Sequence, residues 1–397
     1  EYEVVFFDCF GGGAYRSPED ARHLPKRGLV HIANSLACEG LCDPILPGSE
    51  DVESLLRTFR RRLEQCVRTL SAASRARGLL LFIDAIDNAA EHARDRGERP
   101  FPTLLVESFH ADPVPGVTLI LSSRSHRIPI TPSAYHDFEL EPFTFAETEA
   151  YLRARLPDVN QAEIRVAHAR SGGNARILEY LVKSDRGLLG PSEIDNTIEL
   201  DDLIRDRIDD ALKLASQRGY KAEDTDAFLA GLAVLPPPVP PDEYAEAHGM
   251  PLSAIESFAS DLSPLLERTK HGLMFRDEPT ETLVRQKYAS CETVLRRLAE
   301  NLLARQDRSV YAARALPGLL QIIGDGGQLF DLAFDDRFPV TSTVGQRNIR
   351  YARLKAAVRH AASQQDYHRL VHLLVELSTI AAVDQRGADY ILDAPDL

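Results

Sequence analysis

The hydrophobic positions of this chain change their rhythm as it proceeds. From Val4 to Leu121, short continuous apolar runs alternate with stretches of helical period. Val4–Phe7, Leu79–Ile83 and Val117–Leu121 are runs of the kind expected of strands covered on both faces of a parallel sheet. Between Asp51 and Leu70 the apolar residues Val52, Leu55, Leu56, Phe59, Leu63, Cys66, Val67 and Leu70 recur at helical spacing, with arginines between them. That spacing predicts an amphipathic helix packed on the sheet. A charged helix is expected around Asn88–Arg96. Strands alternating with helices build an α/β fold with crossover connections.

Beyond Phe143 the strand runs cease. Helical periodicity holds from Thr148 to Val182 and again from Leu200 to Leu214. Pro236-Pro237-Pro238-Val239-Pro240-Pro241 reads as a stiff connector, because proline continues neither a helix nor a central strand. Ala254–Leu262 then reads as a helix, and Leu265–Phe275 as a hairpin with Lys270-His271-Gly272 at its tip. Helix, helix, hairpin is the order of a winged helix. From Cys291 onward nearly every segment has helical period, and short helices separated by turns suggest the start of an α-solenoid.

Composition narrows the classes of function. At 397 residues the chain is long enough for two or three domains, and 44% apolar with 27% charged residues is ordinary globular usage. A net charge of −14 argues against a broad nucleic-acid footprint. The five cysteines are odd in number and form no CxxC pair, so neither a disulfide framework nor zinc is signalled. Cys38 and Cys42, spaced i, i+4, read as two small buried side chains on one helical face. No run is long enough, and free of charge and proline, to span a bilayer, and no secretion signal opens the chain, which leads to the expectation of a cytoplasmic protein. The chain lacks an initiator Met and goes straight into a strand, so it reads as an internal piece of something longer.

The sharpest chemical signal is Leu79-Leu80-Leu81-Phe82-Ile83-Asp84-Ala85-Ile86-Asp87, an apolar strand delivering two carboxylates at its carboxyl end, where open α/β sheets place ligands. Asp84 suits Mg²⁺, a hard cation that favours a carboxylate together with phosphate oxygens. Asp87 suits orientation or deprotonation of a water near a γ-phosphate. The same two acids would also serve as ordinary N-terminal helix residues. Leu119-Ile120-Leu121-Ser122-Ser123-Arg124 is a second such strand, offering Arg124, and less directly Arg127, to phosphate charge, or simply placing an arginine on the surface. Gly11-Gly12-Gly13 is not a Walker loop, since Ala14-Tyr15-Arg16-Ser17-Pro18 follows where Lys and Ser/Thr are required. A tight turn explains those glycines. Arg16, Arg22 and His23 form a polar loop, either solvated or reaching a nucleotide.

Taken together, Phe7-Asp8-Cys9-Phe10-Gly11-Gly12-Gly13, the Arg22-His23 loop, Asp84-Ala85-Ile86-Asp87 and Ser122-Ser123-Arg124 resemble the NTPase core of STAND proteins, the class that includes NACHT and related immune ATPases. Leu140-Glu141-Pro142-Phe143, followed by Glu147 and Glu149, is similar to the family's entry into its small helical domain. Ser171-Gly172-Gly173-Asn174-Ala175 sits where the family's Gly-x-Pro loop contacts adenine, with Ala175 in place of the proline. Asn88 stands where many relatives carry a further acid, and Phe275-Arg276-Asp277-Glu278 lacks the histidine that the family's winged helix often offers to a diphosphate.

The resemblance implies a P-loop NTPase fold of the ASCE type: an NTPase core over residues 1–138, a small helical domain over 139–215, a winged helix over 216–290 and helical, TPR-like repeats over 291–397. The Walker A loop is expected upstream of Glu1. Implied site residues are Asp84 and Asp87 as catalytic acids, Asp84 as the Mg²⁺ ligand, Arg124, Gly173, Asn174 and Ala175 as nucleotide contacts, and Arg22 and His23 as loop contacts. ATP or ADP with Mg²⁺ is the implied cofactor set. The implied function is a switch that senses a protein ligand through its C-terminal repeats, self-associates and activates an effector, as in bacterial antiviral defence. Two other readings stay open: a DNA-binding regulator of the same class, weakened because Ser253–Leu262 carries Glu256 and Asp261 and no Arg or Lys, and a scaffold that holds nucleotide without hydrolysing it.

Overall fold

The computed structural model describes residues 2–11, 22–46, 51–73, 76–95, 98–124, 136–183, 199–263 and 265–393. The backbone packs as two units, one of Glu1–Tyr135 with Leu235–Pro238 and Leu295–Leu397, the other of His136–Val234 with Val239–Val294.

The first unit begins β1 (Glu3–Asp8), α1 (Pro25–Cys38), α2 (Val52–Ala72), β2 (Leu79–Asp84), α3 (Ile86–Asp95), α4 (Phe101–Ala111) and β3 (Val117–Leu121). The three strands form one parallel sheet in the order β1-β2-β3. The apolar runs became strands, but burial alternates along them: Val5 and Phe7 are buried, whereas Val4 and Phe6 are 59% and 56% exposed. The expectation of cover on both faces is therefore corrected. α1, α2, α3 and α4 supply Leu29, Ile32, Phe59, Leu63, Ile86 and Phe101 to a core on the face that holds Val5, Phe7, Leu79, Leu81 and Ile83. The helix read over Asp51–Leu70 is α2, capped by the Asp51 carboxylate on the Ser54 N–H at 2.8 Å.

α4 had no counterpart in the sequence pattern. Pro100 and Pro102 look like breaks, yet they stand at its cap and first turn, where proline's missing N–H costs nothing. Cys38 and Cys42 share no helical face: α1 ends at Cys38, which is exposed, and Gly40 turns the chain away with φ +71°. Cys42 lies on the loop beyond.

The second unit contains α5 (Phe145–Arg155), α6 (Gln161–Ser171), α7 (Ala175–Lys183), α8 (Leu200–Gln217), α9 (Ala222–Val234), α10 (Pro241–His248), α11 (Leu252–Asp261), the hairpin β4 (Leu266–Thr269) and β5 (Gly272–Phe275), and α12 (Glu278–Tyr288). α5 and α6 both begin with a reciprocal capping box, Thr144 with Glu147 and Asn160 with Glu163. The proline connector is more than a spacer, because Val239 pairs in both directions with Leu273 of β5 at 2.8 Å.

Completing the first unit are α13 (Glu292–Leu303), α14 (Val310–Ile323), α15 (Gly326–Ala333), α16 (Thr343–Ser363) and α17 (Tyr367–Asp393). The Arg353 side chain of α16 is fully buried, donating to the carbonyls of Asp335 at 2.8 Å and Arg337 at 3.1 Å and to Gln306. α16 is also pinned to the segment before α4, where Glu98 accepts from His23 at 2.5 Å and from Arg359 at 3.0 Å, with Lys355 at 4.0 Å. Burial alone would raise the Glu98 pKa, but the His23 hydrogen bond and the two cations outweigh it and hold the carboxyl below its usual value.

Two outcomes follow for stability. Phe101 is fully buried edge-on to Phe7, with ring centroids 5.3 Å apart, so Phe101→Ala should cost about 3–5 kcal/mol in urea unfolding. A Cβ on Gly28 would come within 2.5 Å of that ring, so Gly28→Ala should cost about 1–3 kcal/mol alone, and the double variant less than the sum. A strictly additive double variant would show that the two positions do not share this contact. For Glu98, the depressed pKa means a contribution present at neutral pH and lost as pH falls through the folded value. The gap in melting midpoint between the parent and Glu98→Gln should therefore close on acidification below about pH 4.5; a gap that does not change with pH contradicts the ion-pair assignment.

Candidate functional site

Parallel pairing in register brings the strand ends together. Asp8 ends β1 directly opposite Asp84, which ends β2, and Ile83 faces Leu121, so Ser122 follows β3 beside Asp84. The Ser122 hydroxyl donates to the Asp84 carboxylate and accepts the Ala85 N–H at 3.0 Å. Ser122 also ties down the backbone on either side, its N–H donating to Ile83 and its carbonyl accepting from Ile86, both at 3.0 Å. Between them Ala85 is held at φ +54°, a left-handed conformation that costs a non-glycine residue of order 1 kcal/mol or more. This strained turn converts β2 into α3 and leaves Asp84 at the sheet edge, half-buried.

One turn along, Asp87 and Asn88 are 4% and 5% exposed. Arg124, just beyond β3, donates from Nε to Asp87 at 2.5 Å and from Nη2 to Asn88 at 3.0 Å. Asp87 thus lies in the first turn of α3, where the helix dipole favours an anion, and bears a guanidinium partner. The structure brings Asp84, Asp87 and Arg124 to one edge, and Asn88 is a ligand of Arg124.

Asp8 belongs to the same edge and carried no role in the sequence reading. Its carboxylate accepts the N–H groups of Phe10 at 2.7 Å and Gly11 at 2.8 Å, closing a turn in which Gly11 takes φ +55°. Burial pushes the Asp8 carboxyl up and the neighbouring Asp84 adds to this, against the two N–H groups and Arg22. The signal available was its position: like Asp84, it is the first acid out of an apolar strand. Gly12, Gly13, Arg16 and Arg127 lie outside the described residues.

Arg22 donates to the Asp8 carbonyl at 3.0 Å and sits over the Phe7 ring at 5.0 Å, which places it at this edge. His23 is turned elsewhere. It is fully buried against Glu98 and the His92 ring, and its carbonyl accepts the Phe101 N–H at 2.8 Å.

Gly173, Asn174 and Ala175 belong to the second unit. Gly172 and Gly173 stop α6 with φ of +57° and +76°, and a side chain at Gly173 would come within 2.4 Å of the Phe143 carbonyl. Asn174 caps α7, its Oδ1 accepting from Arg176 at 2.9 Å and Ile177 at 3.2 Å, and Ala175 begins the helix. A polar node nearby was not foreseen: Asp277, 5% exposed, accepts from Tyr180 at 3.1 Å, pairs with Arg176, and caps α12 through the Thr280 N–H at 2.9 Å. Burial, then the Asp277 charge, pushes the Tyr180 hydroxyl up to about 12. The i, i+4 spacing of Arg176 and Tyr180 was its trace in the sequence.

The edge suits a divalent cation with phosphates. Asp8 and Asp84 end neighbouring strands opposite each other, and Mg²⁺ takes one or two carboxylates and completes its shell with phosphate and water oxygens. Among the described residues no group of three or more His, Cys, Asp or Glu forms a self-contained metal site.

Among the described residues no helix is long and apolar enough to cross a membrane. No curated protein matches the chain. The family model of the NACHT domain matches residues 22–158, a stretch that runs from Arg22 through Asp84, Asp87 and Arg124 into α5 and beyond it. The acid and arginine strands lie inside that match, so residues 22–158 carry a NACHT domain, the NTPase domain of the STAND class.

Proposed function

We propose that this NTPase is an ATP-dependent signalling switch that hydrolyses slowly, self-associates when its C-terminal helices sense a protein ligand, and activates an effector, with bacterial antiviral defence as its setting. The observation that carries the catalytic part is the sheet edge: Asp84 fixed by Ser122 on the strained Ala85 turn, with Arg124 arriving from the next strand. Bound Mg²⁺ would supply charge neutralisation for the phosphates, with Asp84 as its protein ligand and Asp8 adjacent. Ser122 orients the Asp84 carboxylate and Asp87 orients Arg124.

A switch requires that nucleotide favour one arrangement over another. The segment from α9 to β5, read as a winged helix over residues 216–290, and the helices of 291–397, read as TPR-like repeats, are the elements assigned to that change. The nucleotide-contact roles of Gly173, Asn174 and Ala175 and the loop role of Arg22 belong to the same proposal. A DNA-reading role for α11 is disfavoured, since Glu256 pairs with Arg268 at 2.7 Å and Asp261 with Arg218. One observation favours the alternative of a nucleotide-holding scaffold: Asp87 is buried and engaged by the Arg124 guanidinium, leaving it poorly placed as a free base.

The first test is to denature the purified full-length protein and chromatograph what it releases. Stoichiometric ADP or ATP supports the switch, whereas an empty protein that does not bind added ATP with Mg²⁺ removes it. Asp84→Ala should abolish Mg²⁺-dependent turnover, a loss of at least about 10²-fold, and Asp87→Asn should keep binding while losing turnover. Equal turnover in the parent and both variants would remove the site assignment; binding without turnover in the parent selects the scaffold.

A further inference from the structure

The last helix carries two histidines one turn apart on its outer side. α17 is held through the other side: Leu373 and Ile380 are buried, Glu376 accepts from Arg350 of α16 at 2.6 Å, and Arg369 lies over the Phe330 ring of α15 at 5.0 Å. A helix turns once every 3.6 residues, so His368 and His372 stand away from that packed side with Val371 and Val375, and all four are exposed. The two imidazole rings lie with their centroids 4.8 Å apart and their planes at 51°.

That spacing is the reach of a chelate. Residues four apart on a helix are neighbours, and two histidines so placed hold one zinc ion in helical metal sites. With each metal–nitrogen bond about 2.1 Å long, an ion lies about 3.2 Å from each ring centre, and rings 4.8 Å apart subtend roughly 97° at it. This angle falls between a right angle and the tetrahedral one, which suits Zn²⁺, Ni²⁺ and Cu²⁺, the divalent cations that take imidazole nitrogen. The surroundings do not oppose a positive charge. Arg369, next to His368 in sequence, is turned onto Phe330 and toward Asp366, its Nε 3.7 Å from that carboxylate. By contrast His23 and His92, whose centroids are also 4.8 Å apart, are buried, and the His23 Nε2 is taken by Glu98.

We propose that His368 and His372 form a two-imidazole site for a divalent cation of the Zn²⁺, Ni²⁺ and Cu²⁺ class on the outer side of α17. Each ring gives one nitrogen lone pair in its neutral form, and water completes the shell, since among the described residues no group of three or more His, Cys, Asp or Glu is gathered around an ion. The Mg²⁺ proposed for the sheet edge is a hard cation that favours oxygen, so the two sites select different metals. Packing of Leu373 and Ile380 fixes where the pair stands, and rotation of the exposed side chains suffices to converge the nitrogens. A bound ion ties two successive turns together at the start of α17.

The test is a calorimetric titration of Ni²⁺ into full-length protein that carries no polyhistidine tag. The exposed thiols of Cys38 and Cys291 are alkylated first, and excess Mg²⁺ is present to occupy oxygen sites. One ion should bind per chain, and the affinity should fall at least about 10-fold in His368→Gln and equally in His372→Gln, because either change leaves a single imidazole. Both positions are at the surface, so the variants should fold as the parent does. His271→Gln, at the exposed hairpin tip, should leave the affinity unchanged. The proposal is overturned if the parent shows no saturable Ni²⁺ binding below millimolar concentration, if both α17 variants bind as the parent does, or if His271→Gln loses as much as they do.

Discussion

In-register parallel pairing of three strands is the constraint on which the candidate chemistry depends. Parallel strands leave the sheet at a common edge, so whatever follows each apolar run is delivered to one line. Here Asp8 is opposite Asp84 and Leu121 opposite Ile83, which sets a carboxylate, a carboxylate and a hydroxyl side by side. A slip of one residue between β2 and β3 would carry Ser122 away from Asp84 and exchange the buried and exposed faces of the strand. The core under Val5, Phe7, Leu79, Leu81 and Ile83 therefore fixes the register, and the register fixes the site.

Such an edge is expensive to hold. Ala85 stands in a conformation costing of order 1–3 kcal/mol, and Asp8 is desolvated next to another acid. The surrounding bonds explain why both persist. Ser122 holds Ala85 and Asp84 at once, two N–H groups converge on Asp8, and Arg124 neutralises Asp87 where the α3 dipole already favours an anion. A purely structural turn would be relieved by a glycine at the left-handed position. Retaining alanine there keeps the strand-to-helix junction stiff, which suits a group that must point at a ligand rather than merely end a strand.

The strands, α2 and the acid-bearing strand end were legible because each is a local pattern, a period or a run with a polar residue after it. What was not legible depends on partners distant in sequence. Alternating burial in β1 reflects which face the helices cover, and a run such as Val4–Phe7 looks the same in either case. Arg124 was placed near the acids, but its choice of Asp87 and Asn88 follows from how β3 and α3 meet. α4 was hidden because proline marks helix starts as readily as stops. His23 was read with its chain neighbours, whereas its decisive partner is Glu98.

Within the second unit the polar node at Asp277 bears on the proposed nucleotide contacts. The loop of Gly173 and Asn174 starts α7, and two side chains of α7, Arg176 and Tyr180, meet the carboxylate that caps α12. α7 therefore links that loop to the exit of the β4–β5 hairpin through Asp277. The stretch around Asp277 is also where the family resemblance would put a histidine for a diphosphate. A bare carboxylate there would repel phosphate, but this one is buried, paired with Arg176 and engaged by Tyr180. The position serves to join α7 to the start of α12, a structural role that leaves no bare charge at this place.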